Sequence, residues 1–269
     1  MPTRFGPASS FSSVAPHYDA TRHIPAASLR ACYDRLVAAG LFPERGRICD
    51  AGCGTGQISL PLAERGYAVA GYDIASEMVS LAQAKCQPGW DARYAVADVR
   101  ALPEASAVFD AVVVSKLFMH IADWQLACRE LIRVARPGAP LVHIRDRAAY
   151  GNAVRRHFTD RIRAAGIDTL FLGPDPGSSA ELVAFMAAQG WTRIQVAMSD
   201  IGWRFETSAG DTLRGLRERI FAEFWYVPDA VYADALADTE AWAAAEPGGL
   251  DRTETMTPYL AVEVFRAEG

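Results

Sequence analysis

Three glycines alternate with other residues in one short stretch of the sequence, Asp50-Ala51-Gly52-Cys53-Gly54-Thr55-Gly56. Glycine lets a backbone turn tightly and approach a ligand where a Cβ atom would clash. The N-terminus of a helix that follows such a loop offers N–H groups to polar ligand atoms. The pattern therefore predicts a loop that binds a small ligand between a strand and a helix.

Two common ligand classes do not fit this loop. A dinucleotide-binding loop needs the pattern G-x-G-x-x-G, but Gln57 and Ser59 occupy the two positions where the last glycine would fall. A Walker loop needs Gly-Lys-Ser/Thr, which does not follow here. The loop is not predicted to hold a dinucleotide or a nucleoside triphosphate.

Two further acids follow the loop at similar distances. Asp73 ends an apolar run and Asp98 follows the next one, so that Asp50, Asp73 and Asp98 come at successive predicted strand ends. Each acid alone fits a solvated strand end or a helix cap. Together they favour one site, because ligands of parallel sheets bind at the carboxyl ends of the strands. A carboxylate there can accept hydrogen bonds from ribose hydroxyls.

The elements that position these residues alternate along the first half of the chain. Short apolar runs predict strands, and apolar residues at helical spacing predict helices between them. Such alternation implies a parallel, doubly wound sheet. The predicted strands are 47–50, 68–73, 92–97, 109–114 and 140–144, and the predicted helices are 28–39, 57–65, 76–86 and 124–135.

The rest of the chain is less regular. Residues 1–16 are rich in Ser, Pro and Gly and predict a loose arm. The second half predicts helices over 152–165, 180–189, 211–223 and 228–245, with strands over 192–198 and 259–265.

The stretch ICDAGCGTGQ closely resembles motif I of class I S-adenosylmethionine-dependent methyltransferases. The similarity continues through FDAVVV, His120 and Glu130 to Gly138, over about residues 45–145, and is most like the type 11 small-molecule group. Tyr18-Asp19 and Arg22 are similar to a Tyr-Asp element in an N-terminal helix that covers the cofactor in many relatives. Ala139-Pro140 departs from the family, which commonly has a second glycine there.

The resemblance implies an α/β fold, a Rossmann-like seven-stranded methyltransferase sheet whose first five strands are parallel and whose last strand is antiparallel. It implies an N-terminal helical cap and a helical insertion near 206–250, before the last strand. We expect a single domain over 1–269, with the arm and cap in 1–45 and the cofactor-binding core in 46–148. Residues 149–269 would supply substrate-side helices, a lid and the final strands.

The implied cofactor is S-adenosylmethionine. Asp50 would bind its amino group directly or through water, Asp73 its ribose hydroxyls, and Asp98 its adenine amino group. The other residues expected at the cofactor are Tyr18, Arg22, Gly52, Cys53, Gly54, Gly56, Ile74, Met78, Val99 and Ser115.

Candidate substrate residues are less specific. His120 fits a general base for a phenol, hydroxyl or amine, and it also fits a histidine that packs and hydrogen-bonds beside the cofactor. Aromatic residues concentrated before the last strand fit either a lid over an apolar or aromatic substrate or ordinary core. The remaining substrate candidates are Lys116, Arg145, Trp203 and Trp225.

The composition and the charge of the chain limit the kinds of partner and location that we expect. The 269 residues carry a formal net charge of -5, whereas a nucleic-acid binder usually has a basic excess. The five cysteines show no C-x-x-C pair, which predicts reduced thiols, no metal site and a cytoplasmic protein. Neither a signal peptide nor a membrane span is expected.

The expected function is methyl transfer to a small-molecule O, N, S or C nucleophile. The alternatives are an RNA or protein methyltransferase and a non-catalytic adenosylmethionine-binding protein.

Overall fold

A computed structural model of the protein describes residues 11–22, 24–147, 151–168, 171–175 and 177–267. The helices are α1 (Phe11–Thr21), α2 (Ala26–Ala38), α3 (Leu60–Glu64), α4 (Ser76–Ala84), α5 (Trp124–Val134), α6 (Ala153–Ala164), α7 (Ala180–Ala188), α8 (Ala209–Arg217) and α9 (Asp229–Ala245). The strands are β1 (Arg47–Ala51), β2 (Ala68–Asp73), β3 (Ala92–Val96), β4 (Ala111–Ser115), β5 (Leu141–Arg147), β6 (Trp191–Val196), β7 (Phe205–Ser208), β8 (Thr253–Met256) and β9 (Tyr259–Ala267).

Seven strands form one sheet in the order β3-β2-β1-β4-β5-β9-β6. The pairs from β3 through β5 are parallel, and β9 is antiparallel to β6. The central strand β4 is fully apolar up to Ser115 and buried on both faces, as parallel sheets require. The predicted Rossmann-like sheet of seven strands is confirmed.

The strand order reverses between β1 and β4, which pair directly although two strands intervene in sequence. Crossover connections leave β1 toward one side and β4 toward the other. A crevice therefore opens outside their carboxyl ends, where ligands of doubly wound sheets bind. The glycine loop follows β1 and the segment with Lys116 and His120 follows β4, so the fold brings the two candidate segments to the same place.

By its internal packing the chain divides into two compact units. The described residues of the core unit fall within 15–146, 172–201 and 260–267, and those of the helical unit fall within 11–14, 147–171 and 202–259. In the helical unit, α6 packs against α9 and α8. Asn152 accepts the Arg155 N–H and so caps α6.

The insertion before the last strand was predicted to be helical, but it also contains two strands. β7 and β8 form a two-stranded antiparallel ribbon, with Phe205 opposite Met256 and Ser208 opposite Thr253. The Glu254 carboxylate on this ribbon accepts the Ala153 N–H at 2.9 Å. The ribbon escaped prediction because each strand has four residues and the two lie about 45 residues apart, too short and too distant for a periodicity signal.

Two local expectations were wrong. Residues 11–16 belong to α1 rather than to a loose arm, because Val14 and Ala15 are buried; residues 1–10 of the arm lie outside the described residues. The helix after the glycine loop begins at Leu60 instead of at 57. Pro61 lacks an N–H and is tolerated in the first helical turn but not further along. Among the described residues, no helix has the length and apolar character that crossing a membrane would require.

Candidate active site

The glycine loop has the backbone shape that its spacing predicts. Gly52, Gly54 and Gly56 have φ values of +69°, +51° and +79°, which side chains other than glycine adopt at a cost. The N–H groups of Gly52 and Cys53 both donate to the Tyr72 carbonyl, at 2.8 and 2.9 Å. A Cβ atom on Gly52 would lie 2.7 Å from the Leu117 Cδ1 atom. The loop therefore wraps the end of β2 and lies directly against the segment that follows β4.

Asp73 ties the glycine loop to the end of β2. Its Oδ2 atom accepts the Gly54 N–H at 2.8 Å, and its Oδ1 atom accepts the Ala75 N–H at 2.9 Å. Burial raises the pKa of this carboxyl, and the backbone donors partly oppose that shift. Each oxygen keeps a second lone pair, so Asp73 can still accept from ribose hydroxyls.

Asp50 is 1% exposed at the end of β1. Its Oδ2 atom accepts the Ser59 hydroxyl at 2.5 Å, and the Ser59 oxygen lies 3.0 Å from the Tyr94 hydroxyl. Burial raises the pKa of Asp50 to about 7, the Ser59 hydrogen bond lowers it, and the Asp73 charge raises it. An ionised Asp50 would attract a cofactor amino group in the way the resemblance implies. The sequence pattern did not identify Ser59 or Tyr94 as residues of the site.

The third acid is already paired. Asp98 accepts from the backbone and the guanidinium of Arg100, at 2.9 and 2.7 Å. Hydrogen bonds from Arg100 lower the pKa of Asp98. An adenine amino group would have to share this carboxylate with Arg100, so Asp98 is a weaker candidate contact than Asp73.

The apolar candidates differ in exposure. Ile74 follows Asp73 and is 66% exposed, which is rare for isoleucine and suits a surface that a flat ring covers. Val99, the next residue after Asp98, is buried in the main apolar core, with little surface left for a ligand. Met78 is 1% exposed on the buried face of α4 and packs in the core, and its contact with the cofactor stays a prediction.

The N-terminal cap helix is attached to the glycine loop. In α1, Asp19 accepts the Thr55 hydroxyl at 2.5 Å and forms an ion pair with Lys85. Lys85 also donates to the Thr55 carbonyl at 3.0 Å. A Cβ atom on Gly54 would lie 3.9 Å from the Tyr18 Cε1 atom. The Tyr-Asp element thus lies over the loop, and Thr55 and Lys85 are functional candidates that sequence reasoning missed.

The end of β4 combines a strained residue with buried polar groups. Lys116 has φ of +51°, a conformation that costs a non-glycine residue about 1–3 kcal/mol and clusters at functional sites. Its ammonium lies 3.3 Å from the Asp146 carboxylate, and both side chains are largely buried. The Ser115 hydroxyl is buried and has no hydrogen-bond partner among the described residues, which suits a residue that awaits a ligand.

His120 lies in a turn of 3₁₀ helix that spans Phe118–His120. Burial, with a further contribution from the Arg22 charge, lowers the pKa of His120 to about 3. Arg22 itself is buried, and its guanidinium lies 5.8 Å from the centre of the Tyr18 ring. A histidine with this pKa is neutral at pH 7 and a weak proton acceptor, which favours the packing interpretation over the general base.

Arg145 has an internal partner. Its guanidinium is buried and lies 2.8 Å from the Glu263 carboxylate of β9. Arg193 lies 3.1 Å and His143 lies 3.6 Å from the same carboxylate. Burial raises the pKa of Glu263, but hydrogen bonds from His143 and Ser179 and the Arg145 charge outweigh it and bring the pKa to about 2. Arg145 therefore balances a buried charge, and its role as a substrate anchor stays a prediction.

The two tryptophan candidates belong to the helical unit. Trp225 is buried, packs edge-on against Phe11, and donates its indole N–H to the Arg219 carbonyl at 2.6 Å. Phe158 packs against Phe224 and Tyr232 in the same unit. Trp203 is partly exposed and donates its backbone N–H to Pro258. The aromatic residues near Trp225 are thus core of the helical unit, which disfavours their interpretation as an open lid.

The protein family described as "Methyltransferase domain" matches residues 49–143. A demethylmenaquinone methyltransferase from Thermus thermophilus is 36% identical over 157 residues, which cover 55% of this chain and 71% of that protein. A malonyl (acyl-carrier protein) O-methyltransferase from Enterobacter lignolyticus is 37% identical over 134 residues, and the match covers 50% of this chain and 51% of that protein. The chain thus matches about half the length of this second relative.

Among solved structures, the YcgJ protein from Bacillus subtilis superposes with a TM-score of 0.57 over 90% of this chain and 99% of that one, at 15% identity. At 15% identity this similarity shows a shared fold and nothing more specific. The Thermus relative matches over more than two thirds of its own length, and the family match spans both the glycine loop and the end of β4. The chain belongs to the class I S-adenosylmethionine-dependent methyltransferases, and its cofactor is S-adenosylmethionine.

Proposed function

We propose that the enzyme methylates a small molecule of apolar or aromatic character. The observation that carries this proposal is a set of partly exposed apolar side chains after β4, in a segment that lies directly against the cofactor loop. The Leu117 side chain, which follows β4, packs on Gly52 of the cofactor loop. The acceptor would lie beyond this segment, where the partly exposed side chains of Leu117, Met119 and Ile121 offer an apolar surface.

Adenosylmethionine supplies a methyl group on a positively charged sulfur. An electron pair of the acceptor would bond to the methyl carbon while the carbon–sulfur bond breaks, and the electrons of that bond would stay on sulfur to give adenosylhomocysteine. For such a displacement the protein mainly aligns the reactants and excludes water. Asp73 and the glycine loop would position the cofactor, and residues 115–121 would position the acceptor.

His120 would take part as a neutral side chain. A base with a pKa of about 3 stands far from the operating pH at which general bases work best. His120 would then position the acceptor by packing or by a hydrogen bond, and an acceptor that needs deprotonation would lose its proton to solvent or another group. In this proposal the neutral His120 side chain contacts the acceptor as well as the cofactor.

Three observations support a small acceptor over RNA or protein. The relatives reported above are named for demethylmenaquinone and for malonyl-acyl-carrier protein. The net charge of -5 disfavours tracking along phosphates. The Asn/Asp-Pro-Pro-Tyr/Phe motif of enzymes that methylate exocyclic amines is replaced by Ser115-Lys116-Leu117-Phe118.

We also propose that the protein works in a reducing, cytoplasmic location, because all five of its cysteines are free.

The test supplies methyl-labelled adenosylmethionine with separate small-molecule, RNA and protein fractions of a cell extract. We expect label in the small-molecule fraction, as products heavier by one methyl group. Asp73→Ala should abolish most of that signal, whereas Glu77→Ala, on the exposed start of α4, should not. Label in RNA or protein would contradict the proposal. Cofactor binding without label in any fraction would favour a non-catalytic binding protein.

A further inference from the structure

A glycine in the middle of β2 makes room for a tyrosine from the neighbouring strand. A Cβ atom on Gly71 would lie 2.3 Å from the Tyr94 Cδ1 atom and 3.1 Å from the Cys53 Cβ atom. Gly71 does not have a positive φ, so backbone freedom does not explain the glycine. The missing side chain lets the Tyr94 ring cross β2 and reach the buried Ser59 hydroxyl.

The hydrogen bonds beyond Tyr94 have a defined direction. Ser59 has one hydroxyl hydrogen and donates it to the Asp50 carboxylate at 2.5 Å. The Ser59 oxygen is then free only to accept, so the Tyr94 hydroxyl at 3.0 Å is the donor. Tyr94, Ser59 and Asp50 are all buried. The chain of donors therefore runs from Tyr94 through Ser59 to Asp50.

The second Asp50 oxygen, Oδ1, accepts no hydrogen bond from the described residues. An ionised carboxylate with one oxygen held by a donor and the other left over is suited to attract a cation. Burial alone would favour the neutral acid, which attracts no cation. The donors from Ser59 and Tyr94 counteract burial because they stabilise the charged form.

We propose that Ser59 and Tyr94 are positioning residues that hold Asp50 as an oriented carboxylate for the cofactor's α-amino group, and that Gly71 exists to admit the Tyr94 ring. The attraction acts through a low-dielectric interior, where unlike charges interact strongly over several ångströms or through one water. The proposal concerns the cofactor side and does not depend on the identity of the acceptor.

Several titratable groups act on Asp50 and set the background for its ionisation. Asp73 is the nearby like charge and opposes ionisation. The others are neutral phenols and thiols whose pKa values burial raises, so they stay uncharged near pH 7: Tyr33, Tyr94, Cys49 and Cys53. Among these groups none supplies a positive charge, so the hydroxyl donors are what favour the charged carboxylate.

The experiment compares two ligands by calorimetry: adenosylhomocysteine, and its analogue with hydrogen in place of the α-amino group. Ser59→Ala should weaken adenosylhomocysteine binding about tenfold, the effect of losing one hydrogen bond to a charged group. The same variant should bind the des-amino analogue as the wild type does. Tyr94→Phe should show the same selectivity with a smaller loss, and Ser59→Thr should restore binding because it keeps the hydroxyl.

The pH profile provides a second readout that a purely structural role would not change. Adenosylhomocysteine affinity should fall as the pH drops through the Asp50 pKa, because the acid form attracts no ammonium group. Without the Ser59 donor that pKa rises, so the fall should begin at a higher pH in Ser59→Ala, while the des-amino analogue shows no such dependence.

Ser80→Ala is the matched control, since it removes a hydroxyl that donates to Ser76 within α4, away from Asp50. Denaturant unfolding of every variant checks that the fold is intact. An equal loss of affinity for both ligands would mean that Ser59 only shapes the loop, and no loss for either would mean that the donors do not act on Asp50. Either result overturns the proposal. Tyr94→Phe applies the same test if Ser59→Ala folds poorly.

Discussion

Gly52→Ala tests whether the cofactor loop and the end of β4 depend on each other. Gly52 has φ of +69°, and an added Cβ atom would lie 2.7 Å from the Leu117 Cδ1 atom. Gly138→Ala is the matched control. Gly138 has φ of +77°, and an added Cβ atom would meet nothing within 4 Å. The two variants share the backbone strain and differ in the clash.

The magnitudes follow from that difference. An alanine in the left-handed region costs about 1–2 kcal/mol at either position. Forcing a methyl group into a packed site adds about 1–3 kcal/mol, and this applies to Gly52 alone. The clashing atom is the end of the Leu117 side chain, which has to leave its position on the loop. We expect Gly138→Ala to lose about 1–2 kcal/mol and Gly52→Ala about 2–5 kcal/mol.

Urea unfolding followed by circular dichroism measures both losses, and calorimetry with adenosylhomocysteine measures their effect on the site. Affinity should fall in Gly52→Ala and stay at the wild-type value in Gly138→Ala. In a Leu117→Ala background, Gly52→Ala should lose no more stability than Gly138→Ala, because the Leu117 Cδ1 atom with which the added Cβ atom would clash is absent. Equal losses for the two glycines in the wild-type background would refute the reasoning, and so would a Gly52→Ala cost that Leu117→Ala leaves unchanged.

Three further predictions concern single ionisable residues. Asp73→Ala should weaken adenosylhomocysteine binding more than Asp98→Ala in calorimetry, because Asp73 also holds the Gly54 N–H, whereas Asp98 is already paired with Arg100. His120→Gln should leave the pH dependence of turnover unchanged between pH 5 and 8. A fall in turnover of about 10²–10⁴-fold together with a changed pH dependence would show that His120 is the base after all. Asp50→Asn should be more stable than the wild type by a few kcal/mol at pH 8 in urea unfolding. The folded-state pKa of Asp50 is raised to about 7 from 3.8, so wild-type stability falls as the pH rises between these values, and the advantage of Asp50→Asn should vanish below about pH 4.

The order of the elements could be read from the sequence because its signals are local. Apolar runs such as the one that became β4 and the helical periodicity between them lie within windows of about ten residues. The glycine loop was equally readable, since φ above zero at alternate positions requires glycine. Element boundaries were harder to predict, as the late start of α3 at Leu60 illustrates.

Partners distant in sequence could not be predicted. Arg145 pairs with Glu263, which lies 118 residues away, and Lys85 pairs with Asp19, which lies 66 residues away. Each residue type alone is compatible with a solvated surface, and which two meet depends on the packed fold. Gly71 did leave a signal, because a glycine inside a strand often marks a close approach, but its neighbour Tyr94 could not be named without the sheet register.

The residues assigned to the cofactor also hold the site together, and this determines how their variants must be interpreted. Asp73 accepts the Gly54 N–H and is also the predicted ribose contact, so the affinity lost in Asp73→Ala would combine a lost contact with a loosened loop. A truncation alone cannot separate these two contributions. Ligands that lack one group can, because loosening of the loop affects every ligand, whereas a lost contact affects only the ligand that carries its partner. For this reason the paired ligands proposed for Ser59 and Tyr94, or a 2′-deoxy analogue for Asp73, decide questions that activity measurements leave open.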